Sequence, residues 1–159
     1  MEHVSVDDVE TQGDGGNPSR RVLSTALATT DFAINHYRLD PGDRFSGGLH
    51  THLDQEEAFY VIAGTATFQT RSEPLGETET IEVGPGEAVR FAPGEYQTGA
   101  NEGDRPVEAL AFGAPRASSE VRVPGPCGDC GAEVLKLDFG RGQNSMVCLN
   151  CGTETEVNV

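Results

Sequence analysis

His50 and His52 stand one residue apart, and four residues separate the second imidazole from Glu57. Side chains alternate faces along a strand, so the two imidazoles project the same way. Residues 53–56 turn the chain, and Glu57 opens an apolar run, Ala58-Phe59-Tyr60-Val61-Ile62-Ala63, that ends at Gly64. Two imidazoles and a carboxylate converging on one face make a half-site for a divalent transition metal such as Fe, Mn, Ni, Cu or Zn. A second set of ligand types lies far along the chain. Cys127, Cys130, Cys148 and Cys151 are all the cysteines present, arranged as two Cys-x-x-Cys-Gly pairs. Four thiolates set tetrahedrally fit Zn(II) and close its coordination sphere, so this second site is structural in character. Paired spacing of this kind speaks for metal rather than two disulfides, and iron would use the same thiolates. The glycine after each pair, Gly131 and Gly152, frees the turn to point backbone N–H groups at sulfur.

The first cluster closely resembles the His-x-His-x4-Glu-x6-Gly motif of the cupin family, with Arg44 where that motif carries its leading glycine. The second cupin motif, Gly-x5-Pro-x-Gly-x2-His-x3-Asn, falls on Gly86 to Asn101. Gly86, Gly94 and Asn101 match, the proline stands one place late at Pro93, and Gln97 occupies the histidine position. The resemblance spans about residues 22–115 and implies a metal held by His50, His52 and Glu57, with Gln97 as an amide-oxygen ligand or a hydrogen-bond partner. His36, on a neighbouring strand, is the alternative fourth ligand. The cysteine segment is similar to a zinc ribbon or rubredoxin-type module.

Those ligands need strands to hold them. Val22–Thr30, Phe32–Leu39, Ala58–Ile62, Ala66–Thr70, Thr78–Val83, Ala88–Phe91 and Val107–Phe112 are β-prone runs separated by Gly- and Pro-rich turns, and no segment shows a helical period. Closely spaced strands of this kind mean an antiparallel sandwich or barrel. The expected fold is all-β: a flexible acidic tail over 1–20, an antiparallel jelly-roll (cupin) barrel over 21–115, a linker over 116–126, and a four-cysteine zinc-ribbon β-hairpin module over 127–159. Glu57, Phe59, Val61 and Ala63 share the face that holds the metal and the core. Glu56 points the other way and is a poor general base.

Composition narrows the partners. The chain has 159 residues and a net charge of −15, from 26 acids against 11 bases, and Lys136 is its only lysine. That sign opposes binding to nucleic acid or an anionic membrane. Acid excess with little lysine resembles the composition of haloarchaeal proteins, in which molar salt screens self-repulsion. No apolar run reaches the length of a membrane span, and the start of the chain lacks signal-peptide character, so the expected location is cytoplasmic. The expected assembly is a homodimer. Two functions follow from the cupin resemblance: a small metal-dependent enzyme of dioxygenase type acting on a small organic molecule, or a non-catalytic small-ligand sensor whose ribbon contacts a protein partner. Fold alone does not choose between them.

Overall fold

The segment Val107–Ala114 buries Val107, Ala109, Ala111 and Gly113 and turns Glu108, Leu110 and Phe112 outward, the period of two expected of a strand with one face on a core. The computed structural model describes residues 1–12, 19–140 and 144–157. Its strands are β1 (Thr11–Gln12), β2 (Ser19–Val22), β3 (Ala33–Leu39), β4 (Thr51–His52), β5 (Glu56–Ala63), β6 (Ala66–Arg71) and β7 (Glu79–Val83). They continue with β8 (Ala88–Phe91), β9 (Tyr96–Ala100), β10 (Val107–Ala114), β11 (Val121–Pro124), β12 (Val134–Phe139), β13 (Asn144–Val147) and β14 (Glu154–Val157). One helical turn, α1 (Leu23–Ala26), interrupts them.

The strands form an antiparallel six-stranded sheet, β1-β2-β3-β10-β5-β8, facing a three-stranded sheet, β7-β6-β9. The core lies between them. Tyr37, Leu39, Phe59, Val61, Val107 and Ala109 from the larger sheet meet Phe45, Ala66, Phe68 and Val83 from the other side. Phe45 stacks on Phe68 at 5.5 Å between centroids, and Phe59 sits 4.9 Å from Phe68, spacings at which aromatic pairs gain beyond area burial. Gly64 has φ +74°, and a Cβ there would lie 2.5 Å from the Pro106 carbonyl oxygen, so the turn after β5 requires glycine.

A third sheet, β14-β13-β12-β11-β4, carries the chain out of the barrel. Antiparallel bridges Arg44↔Ala100 and His50↔Gln97 tie the segment leading into β4 onto β9. The sheet that presents the histidines therefore runs on, through β11, into the cysteine-bearing hairpins.

Several expectations change here. Residues 22–30 do not form a strand: β2 ends at Val22, α1 follows, and Ala28 takes φ 51°. β9 was not among the sequence candidates. Residues 121–124, expected in a linker, are a paired strand, and residues 11–12 and 19–20 of the acidic tail pair as strands at the sheet edge. The Gly13–Pro18 run of that tail lies outside the described residues. Among the described residues, no helix is long and apolar enough to cross a membrane.

Candidate metal centre

His50 enters the site from the bridge to β9, where its N–H meets the Gln97 carbonyl at 3.1 Å and its carbonyl accepts the Gln97 N–H at 2.8 Å. His52 ends β4, and Glu57 lies near the start of β5. Two strands and the bridge residue before them thus bring three side chains to one point, and their ligand atoms all lie within 4.8 Å of one another. Glu57 Oε2 is 3.6 Å from His52 Nε2 and 3.9 Å from His50 Nε2.

The hydrogen bonds on the far side of each ring settle which nitrogen is free. His50 Nδ1 lies 2.8 Å from the Gly48 carbonyl. A carbonyl only accepts, so Nδ1 carries the proton and Nε2 presents a lone pair inward. His52 Nδ1 lies 2.8 Å from Ser118 Oγ, and that hydroxyl donates to Asp54 Oδ1 at 2.6 Å. The Ser118 proton being spent on the carboxylate, the hydroxyl accepts from His52 and leaves its Nε2 free as well. Burial pushes the His52 imidazole below its ordinary range, against the pull of the Glu57 carboxylate. Hydrogen bonds from Ser118, then from the Ser119 N–H, hold Asp54 down at about 2.

Gln97 completes the cluster. Its Nε2 donates to Glu57 Oε2 at 2.7 Å and lies 3.3 Å from His50 Nε2, while its Oε1 is buried without a partner. His36 stands elsewhere: its Nε2 is 2.8 Å from Glu108 Oε1, with Glu108 on an outward position of β10. Because neighbouring residues alternate, it is Tyr37, not His36, that faces the barrel. Arg90 is likewise outward, paired with Glu56 at 2.6 Å. Ala63, expected to face inward with Glu57, Phe59 and Val61, lies exposed where β5 ends.

The residues fit a divalent metal. Bonds of about 2.0–2.2 Å to imidazole and carboxylate place neighbouring ligand atoms roughly 3–3.5 Å apart, a small inward rotation from the spacing present. Both imidazoles turn Nε2 inward, and the orphaned Gln97 oxygen exchanges with its NH2 group when the amide turns over. The cluster opens on a cavity of about 930 Å3. Tyr37, Phe59 and Ala111 belong to its barrel wall, Arg20, Arg44 and Arg116 also line it, and Leu137, Phe139 and Met146 come from the cysteine-bearing hairpin. Burial keeps the Tyr37 phenol protonated by pushing its pKa up. Sequence reasoning gave no role to Ser118, Asp54 or the three arginines; each reaches the site through tertiary pairing that leaves no local signal.

The cysteines also converge. Cys127 Sγ is 3.6 Å from Cys151 Sγ and Cys130 Sγ is 3.5 Å from Cys148 Sγ. A disulfide needs about 2.05 Å, whereas sulfurs around tetrahedral zinc stand roughly 3.8 Å apart with bonds of about 2.3 Å. Gly131 and Gly152 take φ +73° and +80°, closing the two knuckles with N–H bonds to the Cys127 and Cys148 carbonyls. Cys151 Sγ lies 3.1 Å from the Thr153 hydroxyl, which itself donates to Asp129 at 2.6 Å.

Residues 35–113 match the family described as Cupin domain. No curated protein matches the chain. Among solved structures, a cupin-superfamily sugar phosphate isomerase from Silicibacter pomeroyi is similar at 18% identity and a TM-score of 0.64, over 97% of this chain and 92% of that one. An uncharacterized conserved protein with a double-stranded beta-helix domain from Klebsiella pneumoniae aligns at 23% identity and a TM-score of 0.58, over 73% of this chain and 86% of that one. Bacillus subtilis oxalate decarboxylase aligns at 20% identity and a TM-score of 0.58, over 70% of this chain but 29% of its own. At such identities the likeness is one of fold, and it agrees with the family match and the sheet order: the chain carries a cupin domain over residues 35–113.

Proposed function

We propose that the barrel is the mononuclear metal centre of a small metal-dependent enzyme, of dioxygenase type, acting on a small organic anion. The observation that carries this reading is the grouping of His50 Nε2, His52 Nε2 and Glu57 Oε2 on the wall of the cavity. A two-histidine, one-carboxylate face leaves coordination positions open, as non-haem iron oxygenases require. When bound, a divalent metal would supply Lewis-acid polarisation of a coordinated oxygen. His50, His52 and Glu57 hold it, and Gln97 contributes its amide oxygen after turning over.

The substrate class follows from charge. Acids outnumber bases by 26 to 11 in the chain, yet the cavity presents Arg20, Arg44 and Arg116 against Asp43 and Glu57. Removing Glu57 to the metal leaves a cationic rim on an acidic molecule, which draws anions inward. The protonated Tyr37 phenol adds a donor on the wall, and the hairpin residues Leu137, Phe139 and Met146 shelter an apolar body. Sugar phosphates and oxalate, named for the similar proteins, are also anions; the likeness is too distant to choose between them.

The test is metal analysis of the native protein, then oxygen uptake by Fe(II)-loaded protein over small organic anions such as oxalate, set against the neutral catechols, flavonols and β-dicarbonyls. Turnover that disappears with His50→Ala supports the enzyme. A second reading has its own observation, the sheet running from β4 into the cysteine hairpins, which joins the cavity wall to an outer module. Ligand-induced stabilisation without turnover, and a partner captured only by liganded protein, would favour that sensor.

A further inference from the structure

Ser118 lies outside the matched cupin domain, on the chain between β10 and β11. Its Oγ stands 2.8 Å from His52 Nδ1 and 2.6 Å from Asp54 Oδ1. The far oxygen of Asp54 accepts the Ser119 N–H at 2.9 Å, which fixes the carboxylate in turn. The backbone repeats the connection. The Leu53 N–H donates to the Glu120 carbonyl at 2.9 Å, and β4 pairs with β11 in the register His52↔Val121 and Thr51↔Arg122. His52 is therefore held by main chain and by imidazole to one short segment beyond the barrel. His50 is not: its Nδ1 is satisfied by Gly48 of its own loop.

We infer that Ser118, backed by Asp54, is a positioning residue that fixes the proton and the angle of His52 and so sets the affinity of the barrel for a divalent metal. The inference rests on the reading of His52 as a ligand. Its physical basis is that an imidazole whose outer N–H is held by a carboxylate-backed acceptor offers a better-aligned, more basic inner nitrogen. Losing such a partner typically costs about 10–100-fold in metal affinity. A plain loop staple would behave differently: removing the Ser118 hydroxyl leaves Asp54 its bonds to Ser119, so stability would move and metal affinity would not.

The experiment uses the full chain supplied with one equivalent of Zn(II), and titrates Mn(II) by the loss of its free-ion EPR signal. Ser118→Ala should weaken Mn(II) binding by about 10–100-fold, and Ser118→Thr, which keeps the hydroxyl, should restore it. Asp54→Ala should weaken binding as well, and the double variant should be no worse than the weaker single one, because both act through one chain of hydrogen bonds. Wild-type affinity in Ser118→Ala overturns the inference, as does a Ser118→Thr variant as weak as Ser118→Ala. Mn(II) binding that survives His52→Ala overturns the site itself, and that result is distinct, since it appears with Ser118 intact.

Discussion

Gln97 is the residue on which the character of a metal held in the barrel would turn. Its amide donates to Glu57 and leaves Oε1 buried and unpaired, a cost of about 1–3 kcal/mol for a desolvated acceptor. A metal that accepts the amide oxygen relieves that cost, though an amide is a weaker donor than imidazole to late first-row ions. Gln97→His should therefore tighten the barrel metal, measured by competition against a chelator; an unchanged dissociation constant would remove Gln97 from the ligand set. The grouping of His50, His52 and Glu57 was legible because strand alternation and one short turn place them within eight residues. Ser118 was not, since a lone serine 66 residues from its histidine carries no spacing signal.

At the scale of elements, β9 shows what tertiary packing hides from a sequence. Tyr96–Ala100 is buried at every position, so it has no polar alternation, and its glycine interrupts the β-prone run. That glycine has a packing reason: a Cβ on Gly99 would lie 2.4 Å from the Phe68 ring and 2.8 Å from Phe45. Gly99→Ala should cost about 1–3 kcal/mol by overpacking, seen as a lowered melting temperature, and a neutral result would mean that the aromatic cluster yields easily. The strand β11 was hidden for the opposite reason. Its four residues are too few for a periodic signal, and they become a strand only because β4 and β12 flank them. Beside it, the Lys136 ammonium and then the Arg122 guanidinium pull the Glu120 carboxyl below its ordinary range. A folded pKa below the unfolded one means this bridge stabilises above about pH 4.3 and is lost as pH falls through the folded value. Glu120→Gln should flatten the acid limb of a stability-versus-pH curve; a limb unchanged from wild type would show that the bridge contributes nothing.

The whole molecule joins two clusters of metal-ligating side chains of different chemistry through one run of strands. Elemental analysis should find two metal equivalents per chain, one per cluster. Cys127→Ser should lose the thiolate-bound metal and keep the other, held less tightly because β12 and β11 back the segment that carries Ser118. Retention of both metals in a quadruple cysteine variant would dismiss the ribbon site. Around both clusters lies a surface with a net charge of −15 and a single lysine, from which we propose that the fold needs salt. At 0.1 M the Debye length is about 10 Å, so neighbouring carboxylates repel across the surface; at 1 M it is about 3 Å and the repulsion is screened. Set against a net stability of about 5–15 kcal/mol, that repulsion weighs heavily. The knuckles should outlast the barrel on dilution, since thiolate–metal bonds depend little on screening. Thermal melts between about 0.1 and 3 M KCl, across which the Debye length shrinks severalfold, should show a rising midpoint with the hairpin module melting last. A midpoint that stays flat would leave an acidic cupin with no need of salt.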